Sequence, residues 1–443
     1  MIRSELSGWG LTPVCLTFTE AVSEINLPTS CSSTNSLIPR GLGRGYGDCA
    51  INGFGVTAVT TGLQKFLLDG SVLIAEAGVS IDNILRQIVP LGFFVPVTPG
   101  TKYVTIGGAI AADVHGKNHH KDGSFGNFVK ELDLLLADGT IHKIGPSNNP
   151  NLFWATIGGM GLTGVILSAK IQLLPIETSK ISSTNIMCRN IDVLMDEMIR
   201  ADEFVKYSVA WVDTLARGKH LGRSILSVGD HATEKDLSKR LRKRPLKYSS
   251  KQLITFPDLE VNGLLNRFTV KLFNGLWFQK ARFSKKKKIV SLDSFFYPLD
   301  GIGNWNRMYG TSGFIQYQVS IPDSASHLIR LILEKFSDHR IPSFLSVLKR
   351  FGDQGSGMLS FPAKGWTLAV DIPAGVEDLG KLLDELDEKV VDAGGRLYFA
   401  KDSRMDPRFV EKMYPRLDEF RNAKIKVDPN KKFHSNMSRR LGL

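Results

Sequence analysis

The chain has 443 residues, 42% of them hydrophobic and 23% charged, and its formal net charge at pH 7 is +12. This length and apolar content allow about three average domains with sizeable cores and exclude a disordered or fibrous protein. No segment reaches the roughly 18 apolar residues of a membrane-spanning helix, and residues 1–10 lack the basic and apolar regions of a signal peptide. We therefore expect a soluble protein or one bound peripherally to a membrane.

The first part of the chain mixes predicted strands, turns and a helix. Residues 1–175 alternate short β-branched runs with glycine turns, and residues 72–78, VLIAEAG, are typical of a strand. Residues 80–89 have helical apolar spacing, with Ser80 as the expected N-cap. This block ends at residues 173–175, so the sequence predicts an α+β fold in which a second domain starts near residue 178.

Two glycine-rich segments lie in this first block, GLGRGYGD at residues 41–48 and TPGTKYVTIGGAIAADVHGKNHHKDGSFGN at residues 98–127. Glycine has no Cβ, so its backbone N–H groups can approach a pyrophosphate closely and form an anion-binding nest. Neither segment has the spacing of a Rossmann loop or the Walker pattern. Together the segments predict a site for a large phosphate-bearing cofactor, with a dinucleotide as the expected guest.

Beyond residue 178, strands and helices continue at longer spacing. Residues 204–212 and 315–321 alternate as strands do, and residues 377–391 have the apolar spacing of a helix. Two basic runs, at residues 235–251 and 280–288, carry much of the excess charge. They are consistent with solvated loops or with attraction to anionic lipid headgroups. We find no helix-turn-helix, zinc-finger or RNP-like pattern that would indicate nucleic acid.

Four segments resemble the vanillyl-alcohol-oxidase (PCMH-type) family of FAD flavoproteins. RGLGRGYGD at residues 40–48, PGTKYVTIGG at 99–108 and LFWATIGGMGLTG at 152–164 are similar to the three FAD loops of that family, and KVDP at 426–429 with Phe433 is similar to its C-terminal signature. The resemblance implies a two-domain α+β fold. Residues 1–178 and 396–443 would form the FAD-binding domain, and residues 179–395 would form a substrate domain with an antiparallel sheet.

Further motifs resemble the branch of this family that acts on lipid-linked ribose. They are HGKNHH at residues 115–120, WNR at 305–307, GFIQYQ at 313–318 and YFAKDSR at 398–404. The resemblance implies FAD-dependent oxidation of the ribose C2′ hydroxyl of a polyprenyl-phosphoryl-β-D-ribose to the 2′-keto compound. This is the first half of an epimerisation that supplies the arabinose donor for cell-envelope arabinan. A separate NADH-dependent keto-pentose reductase would complete it.

The same resemblance implies a location. A lipid-linked substrate stays in a bilayer, so the basic runs are expected to bind an anionic membrane surface rather than nucleic acid. We expect a protein peripheral to the inner membrane. The resemblance favours the periplasmic, cell-envelope side, whereas the lack of a signal-peptide pattern leaves the cytoplasmic face open.

Tyr46 determines how FAD is expected to be held. Covalent members of the family often have a flavin-linked histidine between the last two glycines of the first loop, where this chain has Tyr46. The resemblance therefore implies non-covalent FAD. The residues expected to bind the cofactor are Arg40, Gly41, Leu42, Gly43, Arg44, Gly45, Tyr46, Gly47, Pro99, Gly100, Thr101, Thr105, Gly107, Gly108, Ala112, His115, Gly116, Gly161, Gly164 and Ala400.

Oxidation of a secondary alcohol requires removal of the hydroxyl proton, and a buried neutral lysine can be the base. By resemblance, Lys401 is the first candidate for this role, with His115 and Lys117 as further catalytic residues. Gln316 and Gln318 share a strand face and could hydrogen-bond sugar hydroxyls. The expected substrate-binding residues are Lys117, Trp211, Gln316, Gln318, Lys349, Tyr398 and Lys401.

A metal site is not predicted. His115 and His119 are four residues apart, but Gly116 and Asn118 are poor helix formers and the glutamate of an HExxH motif is missing. A loop beside the flavin fits these residues better.

Two departures from the family pattern concern the pocket. FFYPL at residues 295–299 is shifted by one residue against the usual Tyr-His-Pro-Leu, which leaves the role of Tyr297 open. Thr367 and Ala369 stand where some members have asparagine and cysteine, which leaves the length of the lipid open. The alternatives are an FAD-dependent sugar or aldonolactone oxidase on the same fold, and a basic membrane or nucleic-acid adaptor that lacks flavin.

Overall fold

The computed structural model describes residues 1–22, 34–53, 55–257, 265–281 and 287–443. Residues 282–286 of the second basic run therefore lie outside the described residues. Within the described part of the chain, α-helices and largely antiparallel sheets occur together. This confirms the predicted α+β class.

The strands of the described residues have two to nine residues. They are Ile2–Ser7 (β1), Val14–Ala21 (β2), Leu37–Arg40 (β3), Val56–Val59 (β4), Phe66–Asp69 (β5), Val72–Glu76 (β6), Phe93–Phe94 (β7), Val129–Leu135 (β8), Ile141–Ile144 (β9), Val165–Gln172 (β10), Leu174–Pro175 (β11), Lys180–Cys188 (β12), Tyr207–Val212 (β13), Ser224–His231 (β14), Ile254–Thr255 (β15), Lys288–Ser291 (β16), Ile302–Gly303 (β17), Phe314–Ile321 (β18), Ser346–Phe351 (β19), Gly365–Pro373 (β20) and Arg396–Leu397 (β21).

The helices lie between these strands and at the C-terminal end. They are Ile81–Ile88 (α1), Ile106–Ala111 (α2), His119–Asp122 (α3), Pro150–Thr156 (α4), Ile191–Phe204 (α5), Lys239–Arg242 (α6), Arg267–Ala281 (α7), Leu292–Phe296 (α8), His327–Asp338 (α9), Leu379–Asp392 (α10), Val410–Met413 (α11), Leu417–Val427 (α12) and Asn436–Leu441 (α13).

Among the described residues, the first block has a four-stranded sheet, a five-stranded sheet and the two-stranded sheet β11-β7, and the second block has one large sheet and the two-stranded sheet β15-β17. The first sheet has the order β1-β2-β4-β3, and the second, which is antiparallel, has the order β5-β6-β10-β8-β9. The large sheet has the order β16-β12-β14-β13-β19-β20-β18-β21, and its paired strands are antiparallel. Adjacent residues of a strand point to opposite faces, so this sheet presents a separate row of side chains on each side.

Helices α5, α9 and α10 cover one face of the large sheet. Their apolar residues share a core with Tyr317, Val319, Leu348, Leu368 and Val370, which are the alternate residues of the three central strands. Fully burying a large aliphatic side chain contributes about 1.5–3 kcal/mol, so this layer fixes which face of each strand is turned inward. The opposite face is left for the polar residues between them.

The C-terminal segment packs against the first block. Leu37 N donates to Lys432 O at 2.8 Å and His434 N donates to Leu37 O at 3.0 Å, which places buried Phe433 beside β3. The Asp428 carboxylate accepts from the backbone N–H groups of Lys432 and Phe433 at 2.7 and 2.8 Å. Strand β21, however, pairs with β18 of the large sheet. The proposed domain limits at residues 178 and 396 stay a prediction.

The structure agrees with most predicted elements and corrects one boundary. Ser80 caps α1 by accepting a hydrogen bond from Asn83 N, and residues 379–392 form the predicted C-terminal helix α10. The strand predicted over 204–212 begins only at Tyr207, because Phe204 is the last residue of α5. Its side chain is exposed, so no packing holds it in the sheet.

Candidate active site

Three glycine-rich segments meet at one place in the first block. A Cβ built on Gly41 would lie 2.2 Å from Thr105 Oγ1, so the first loop touches the second. Gly158 N donates to Ile110 O at 3.0 Å and Met160 N donates to Ala111 O at 2.9 Å, so the third loop is held by α2 of the second. A Cβ on Gly161 would lie 2.9 Å from Pro39 Cγ, so the third loop also contacts β3 just before the first loop. Segments far apart in sequence thus form one cradle.

Some of these glycines are packed against protein and others face open space. Cβ atoms on Gly45, Gly47 and Gly107 would lie 2.5 Å from Cys49 Sγ, 1.9 Å from Asp402 O and 2.9 Å from Ala77 Cβ. By contrast, a Cβ on Gly100 would meet nothing within 4 Å, and one on exposed Gly108 would meet Thr105 Oγ1 at 3.1 Å. The second loop therefore offers the open backbone that a phosphate group needs.

The last two glycines of the third loop are buried, unlike Gly100 and Gly108 of the second loop. Gly161 and Gly164 are buried, and Cβ atoms there would collide with Pro39 and with the Leu135 backbone. Both have positive φ, at 77° and 152°, which favours glycine. Packing alone explains these two glycines, and their contact with the cofactor stays a prediction.

Tyr46 connects the first loop to the segment that carries Lys401. Tyr46 N donates to Ala400 O at 2.8 Å, and its ring packs edge-on against Phe314 at 5.3 Å between centroids. Lys401 Nζ lies 3.6 Å from the centroid of the same ring. Burial raises the pKa of the Tyr46 phenol well above its usual value. The phenol is therefore neutral, and its ring packs against the Lys401 side chain rather than offering a nucleophile.

The free face of the large sheet carries most of the expected substrate residues. Gln318 pairs with Ala369, which pairs with Val347, and Val347 pairs with Trp211. Directly opposite residues share a face, and so do alternate residues of a strand. Gln316, Gln318, Lys349, Thr367 and Ala369 therefore project from one surface, as the two-residue spacing of the glutamines predicts.

His115 is buried at the edge of this surface. Gln318 Nε2 donates to His115 Nε2 at 3.1 Å and to Thr367 Oγ1 at 3.2 Å, so the remaining proton of the neutral imidazole is assigned to Nδ1. Burial lowers the pKa of His115 well below its usual value, and the nearby Lys349 cation lowers it further. His115 Nδ1 is buried and has no hydrogen-bond partner among the described residues. It is thus a neutral donor that is free to hydrogen-bond a bound cofactor or substrate.

Three lysines with depressed pKa values surround this point. Burial lowers the pKa of Lys117 to about 7 and that of Lys349 to about 8. Burial also lowers the pKa of Lys401, and Lys349 depresses the values of both other lysines. Like charges held together in a buried space favour an anionic guest, because its charge offsets their repulsion. A phosphate is such a guest.

Lys117 is also anchored by the protein. Its Nζ donates a short hydrogen bond to Phe295 O and lies 4.5 Å from the centroid of the Phe295 ring. The backbone carbonyl fixes the position of the ammonium group without neutralising it. Lys117 thus lies close enough to Lys349 for the two charges to repel each other.

Asp371 is a functional candidate that the motif comparison missed. It is fully buried on β20 and pairs with Gln316, whose Nε2 donates to Asp371 Oδ1. Burial raises the pKa of Asp371, while Lys401 acts in the opposite direction. Thr367, Ala369 and Asp371 are alternate residues of one strand and therefore lie on the same face. The two pocket residues Thr367 and Ala369 could thus have pointed to Asp371.

Aromatic rings enclose the site. His115 lies edge-on to Phe351 at 4.8 Å and packs near Tyr398 at 5.5 Å, and Tyr398 stacks on Phe361 at 4.4 Å. The Tyr398 hydroxyl donates to Ala112 O at 2.9 Å. Phe351 was not predicted, although its place two residues after Lys349 on β19 puts it on the same face. These rings exclude water and strengthen the electrostatics inside.

Trp211 and Tyr297 are tied to neighbouring elements. Trp211 Nε1 donates to Phe344 O at 3.1 Å, which holds the indole on the free face of the sheet. The Tyr297 hydroxyl is 2.7 Å from Thr98 Oγ1 in a buried contact between the second loop and the second block. This contact gives Tyr297 a structural role beside the second loop.

The histidines that follow His115 point to different partners. His119 Nδ1 accepts from Gly352 N at 3.1 Å and its Nε2 is 3.2 Å from Ser124 Oγ. His120 Nε2 is 3.1 Å from Val205 O. Each ring is thus used to hold the HGKNHH segment in place.

The site fits a large polar cofactor with phosphate groups. Unpartnered buried polar atoms, within the described ranges, include Arg44 Nε, His115 Nδ1, Tyr309 OH and Asp371 Oδ2. Unpartnered polar atoms are costly in a closed interior, so such a group of them indicates a polar guest. The glycine cradle and the polar sheet face are the two surfaces that such a cofactor would contact.

Comparison with known proteins agrees with this geometry. Residues 26–145 match a family model described as an FAD binding domain, so FAD is the cofactor. The chain is 39% identical to the decaprenylphosphoryl-β-D-ribose oxidase of Mycolicibacterium smegmatis over 99% of its own length and 97% of that protein. An uncharacterized protein of Streptomyces coelicolor is 38% identical over 82% of this chain and all of its own. The D-lactate dehydrogenase of Archaeoglobus fulgidus is 33% identical over 24% of this chain and 25% of its own.

Tyr46 leads to a prediction about the cofactor linkage. We expect the purified protein to be yellow and to release its FAD into the supernatant on acid precipitation, because a buried phenol offers no imidazole nitrogen for a flavin bond. Flavin absorbance in both fractions is the measurement. Flavin that stays with the precipitated chain after washing would contradict non-covalent binding.

Proposed function

Because the chain belongs to the decaprenylphosphoryl-β-D-ribose oxidase family of FAD-binding flavoproteins, we propose that it oxidises the C2′ hydroxyl of a polyprenyl-phosphoryl-β-D-ribose to a ketone. It is an FAD-dependent oxidoreductase acting on a CH–OH group. The observation that carries the proposal is the group of Lys117, Lys349 and Lys401, each half-buried, beside a sheet face of polar residues that could hydrogen-bond a sugar. A free lactone has no phosphate to balance the charge of Lys117 and Lys349.

In this proposal the protein residues handle the proton and the phosphate. When bound, FAD supplies the acceptor for the hydride that leaves C2′. Lys401 Nζ, neutral after desolvation, accepts the proton of the C2′ hydroxyl as the ketone forms. Lys117 and Lys349 hold the phosphate of the substrate, and their positive charge positions the sugar. Neutral His115 donates a hydrogen bond within the same site.

The pair of Lys401 and Asp371 would set the protonation of the base. Burial disfavours the charged form of each group, and their mutual attraction favours both charges. A lysine held between these two tendencies can lose and regain a proton near neutral pH. Gln316 links Asp371 to the sugar face, so Asp371 is proposed as a positioning residue.

Asp371→Asn is expected to shift the acid limb of the pH profile of flavin reduction to lower pH. The base must be neutral, so the rate rises as pH passes the pKa of Lys401. The Asp371 carboxylate raises that pKa, and its removal lets the pKa fall further. Anaerobic flavin bleaching across pH measures the limb. Asp392→Asn, at an exposed surface ion pair with Lys412, is the matched control. An acid limb of Asp371→Asn that stays at the same pH or moves to higher pH would contradict the proposed role of Asp371.

The proposed reaction needs a partner and a place. A separate NADH-dependent keto-pentose reductase would return the ketone to the epimeric alcohol and complete epimerisation. We propose that the protein is peripheral to the inner membrane, on its cell-envelope side, and that its basic residues meet an anionic lipid surface. Lys239, Lys243 and Arg244 of the first basic run are exposed, so they can take part. Vesicle binding that weakens as ionic strength rises is the expected signature.

Turnover distinguishes the proposed function from the related sugar oxidases. We would compare a short-chain prenyl-phosphoryl-β-D-ribose with a free aldonolactone, each with an artificial electron acceptor. The proposal expects turnover of the phosphorylated lipid analogue. Equal or preferred turnover of the lactone would instead support the alternative of an aldonolactone oxidase.

A further inference from the structure

We infer that helix α7, Arg267–Ala281, docks the protein on an anionic phospholipid bilayer by placing an apolar ridge in the boundary between headgroups and acyl chains. The ridge consists of Phe268, Leu272 and Leu276. The inference rests on the proposed lipid-linked substrate for its biological purpose, whereas the surface itself is argued from exposure and charge. No described helix is long and apolar enough to cross a membrane.

The ridge is exposed although it is apolar. Phe268, Leu272 and Leu276 are 68%, 65% and 64% exposed, and they recur every four residues. The buried residues of the helix include Val270 and Asn274. Two residues correspond to about 200° around a helix, so the ridge lies opposite the face that packs on the protein.

The inner face of α7 is fixed to the large sheet. Asn274 is fully buried, and its Nδ2 donates to Asp213 Oδ1 at 2.7 Å. Arg223 forms an ion pair with Asp213 at 2.8 Å and lies over the Phe278 ring at 5.1 Å. The helix is therefore held with its ridge outward, and contiguous exposed apolar residues of this kind mark an interaction surface.

The positive charge of α7 favours an anionic membrane as the partner of the ridge. Residues 265–281 contain Arg267, Lys271 and Lys280, all exposed, and no acidic residue. Trp277 and Phe273 stack beside the ridge with 6.1 Å between ring centroids. Basic residues combined with Leu, Phe and Trp on a helix of this length are typical of helices that lie in a bilayer interface. A second copy of the chain would bring the same cations face to face.

The position of α7 also connects it to the active site. Phe273 packs edge-on against Phe344 at 6.2 Å, Phe344 packs near Tyr309 at 5.9 Å, and Tyr309 stacks on Phe314 at 4.0 Å. Phe314 is the neighbour of Tyr46 in the first loop.

A cavity of about 570 Å³ opens at the N-terminal end of the same helix. Its lining includes Phe268 of the ridge, Leu265, Met308, Tyr309 and Pro373. Pro373 lies two residues beyond Asp371 on β20, which corresponds to about 7 Å along a strand. A prenyl chain leaving the bilayer beside α7 would thus enter next to the polar face of the sheet.

Vesicle flotation tests the docking surface. We would compare the wild-type holoenzyme with the double variant Leu272→Ser/Leu276→Ser, using vesicles of phosphatidylcholine with phosphatidylglycerol. Loss of two inserted leucines is expected to weaken partitioning by about tenfold to a hundredfold. The control variant, Leu67→Ser/Ile141→Ser, changes two apolar residues of strands β5 and β9 that are each 56% exposed. This variant should float as the wild type does.

A second readout follows insertion directly. Lipids brominated in the acyl chain should quench the tryptophan fluorescence of the wild type, and the quenching should fall in Trp277→Phe. Quenching that depends on Trp277 and persists at high salt supports apolar insertion. Binding that salt abolishes entirely would show that the cations alone hold the protein and would overturn the inference.

Three further outcomes separate this inference from the proposed function. Equal flotation of the ridge variant and the wild type would overturn docking through α7. A wild-type dimer that the ridge substitutions dissociate without vesicles would assign the ridge to a second copy instead. Turnover of a soluble geranyl-phosphoryl-β-D-ribose should be the same in both proteins, and its absence from the wild type would refute the proposed function without touching the flotation result.

Discussion

Lys401→Ala is expected to retain FAD and to lose flavin reduction by substrate, with a rate 10² to 10⁴ times lower, or roughly 3 to 5 kcal/mol of added barrier. The reason is that Nζ is the proposed proton acceptor, which contacts the Tyr46 ring and interacts electrostatically with Asp371. Alanine keeps the backbone contact of Lys401 N with Tyr398 O but removes the base. Anaerobic stopped-flow bleaching of the flavin by a prenyl-phosphoryl ribose is the measurement.

Lys412→Ala is the matched control for this experiment. Its ammonium group forms an exposed ion pair with Asp392 on the surface, so its loss should leave both flavin content and bleaching unchanged. Flavin content is measured first in each variant, which separates cofactor loss from slowed chemistry. Bleaching of Lys401→Ala within a few-fold of the wild type would transfer the role of the base to His115 or Lys117.

Gly100→Val is expected to weaken FAD binding by about tenfold to a hundredfold while leaving the fold intact. A Cβ at Gly100 meets no protein atom within 4 Å and the residue needs no positive φ, so we expect the added side chain to collide with a ligand on the second loop rather than with the protein. Overpacking of this kind typically costs about 1–3 kcal/mol. The flavin-to-protein ratio after gel filtration and the Kd for added FAD measure the effect.

Three comparisons make the glycine experiment specific. Gly380→Val on the exposed first turn of α10 also adds a side chain into open space and should keep full FAD content. Gly45→Val and Gly107→Val should weaken FAD as well, but their Cβ atoms collide with Cys49 and Ala77, so protein repacking contributes to their effect. Full FAD content in Gly100→Val would show that the cofactor does not follow this part of the loop.

The cofactor loops could be predicted from sequence because their requirement is local. A backbone that must approach a phosphate needs closely spaced glycines, and this need is visible in residues 41–48 and 98–108 without any tertiary information. The α+β class and the N-cap at Ser80 follow from local patterns in the same way. Motif resemblance added the position of Lys401, which no spacing rule would supply.

Other parts of the site depend on contacts between distant strands. The proximity of Asp371 to Lys401 results from the pairing of β20 with β18 and from the fold of the C-terminal segment, and neither register is encoded in a local motif. The predicted strand boundary at Phe204 was wrong because the apolar residues at the end of α5 run directly into those of β13. The sequence pattern alone does not show where the helix ends. The apolar ridge of α7 has helical spacing in the sequence, but only the packing of Asn274 shows that the ridge faces outward.

The proposed oxidation at C2′ is tested most directly by locating the C–H bond of the substrate that is broken. Polyprenyl-phosphoryl-β-D-ribose carrying deuterium at C2′ or at C3′ would be mixed anaerobically with the holoenzyme, and flavin bleaching would be followed by stopped flow. We expect bleaching that slows with deuterium at C2′ and is unchanged with deuterium at C3′. Absence of bleaching by the lipid-linked ribose, or an isotope effect at C3′ instead of C2′, would contradict it.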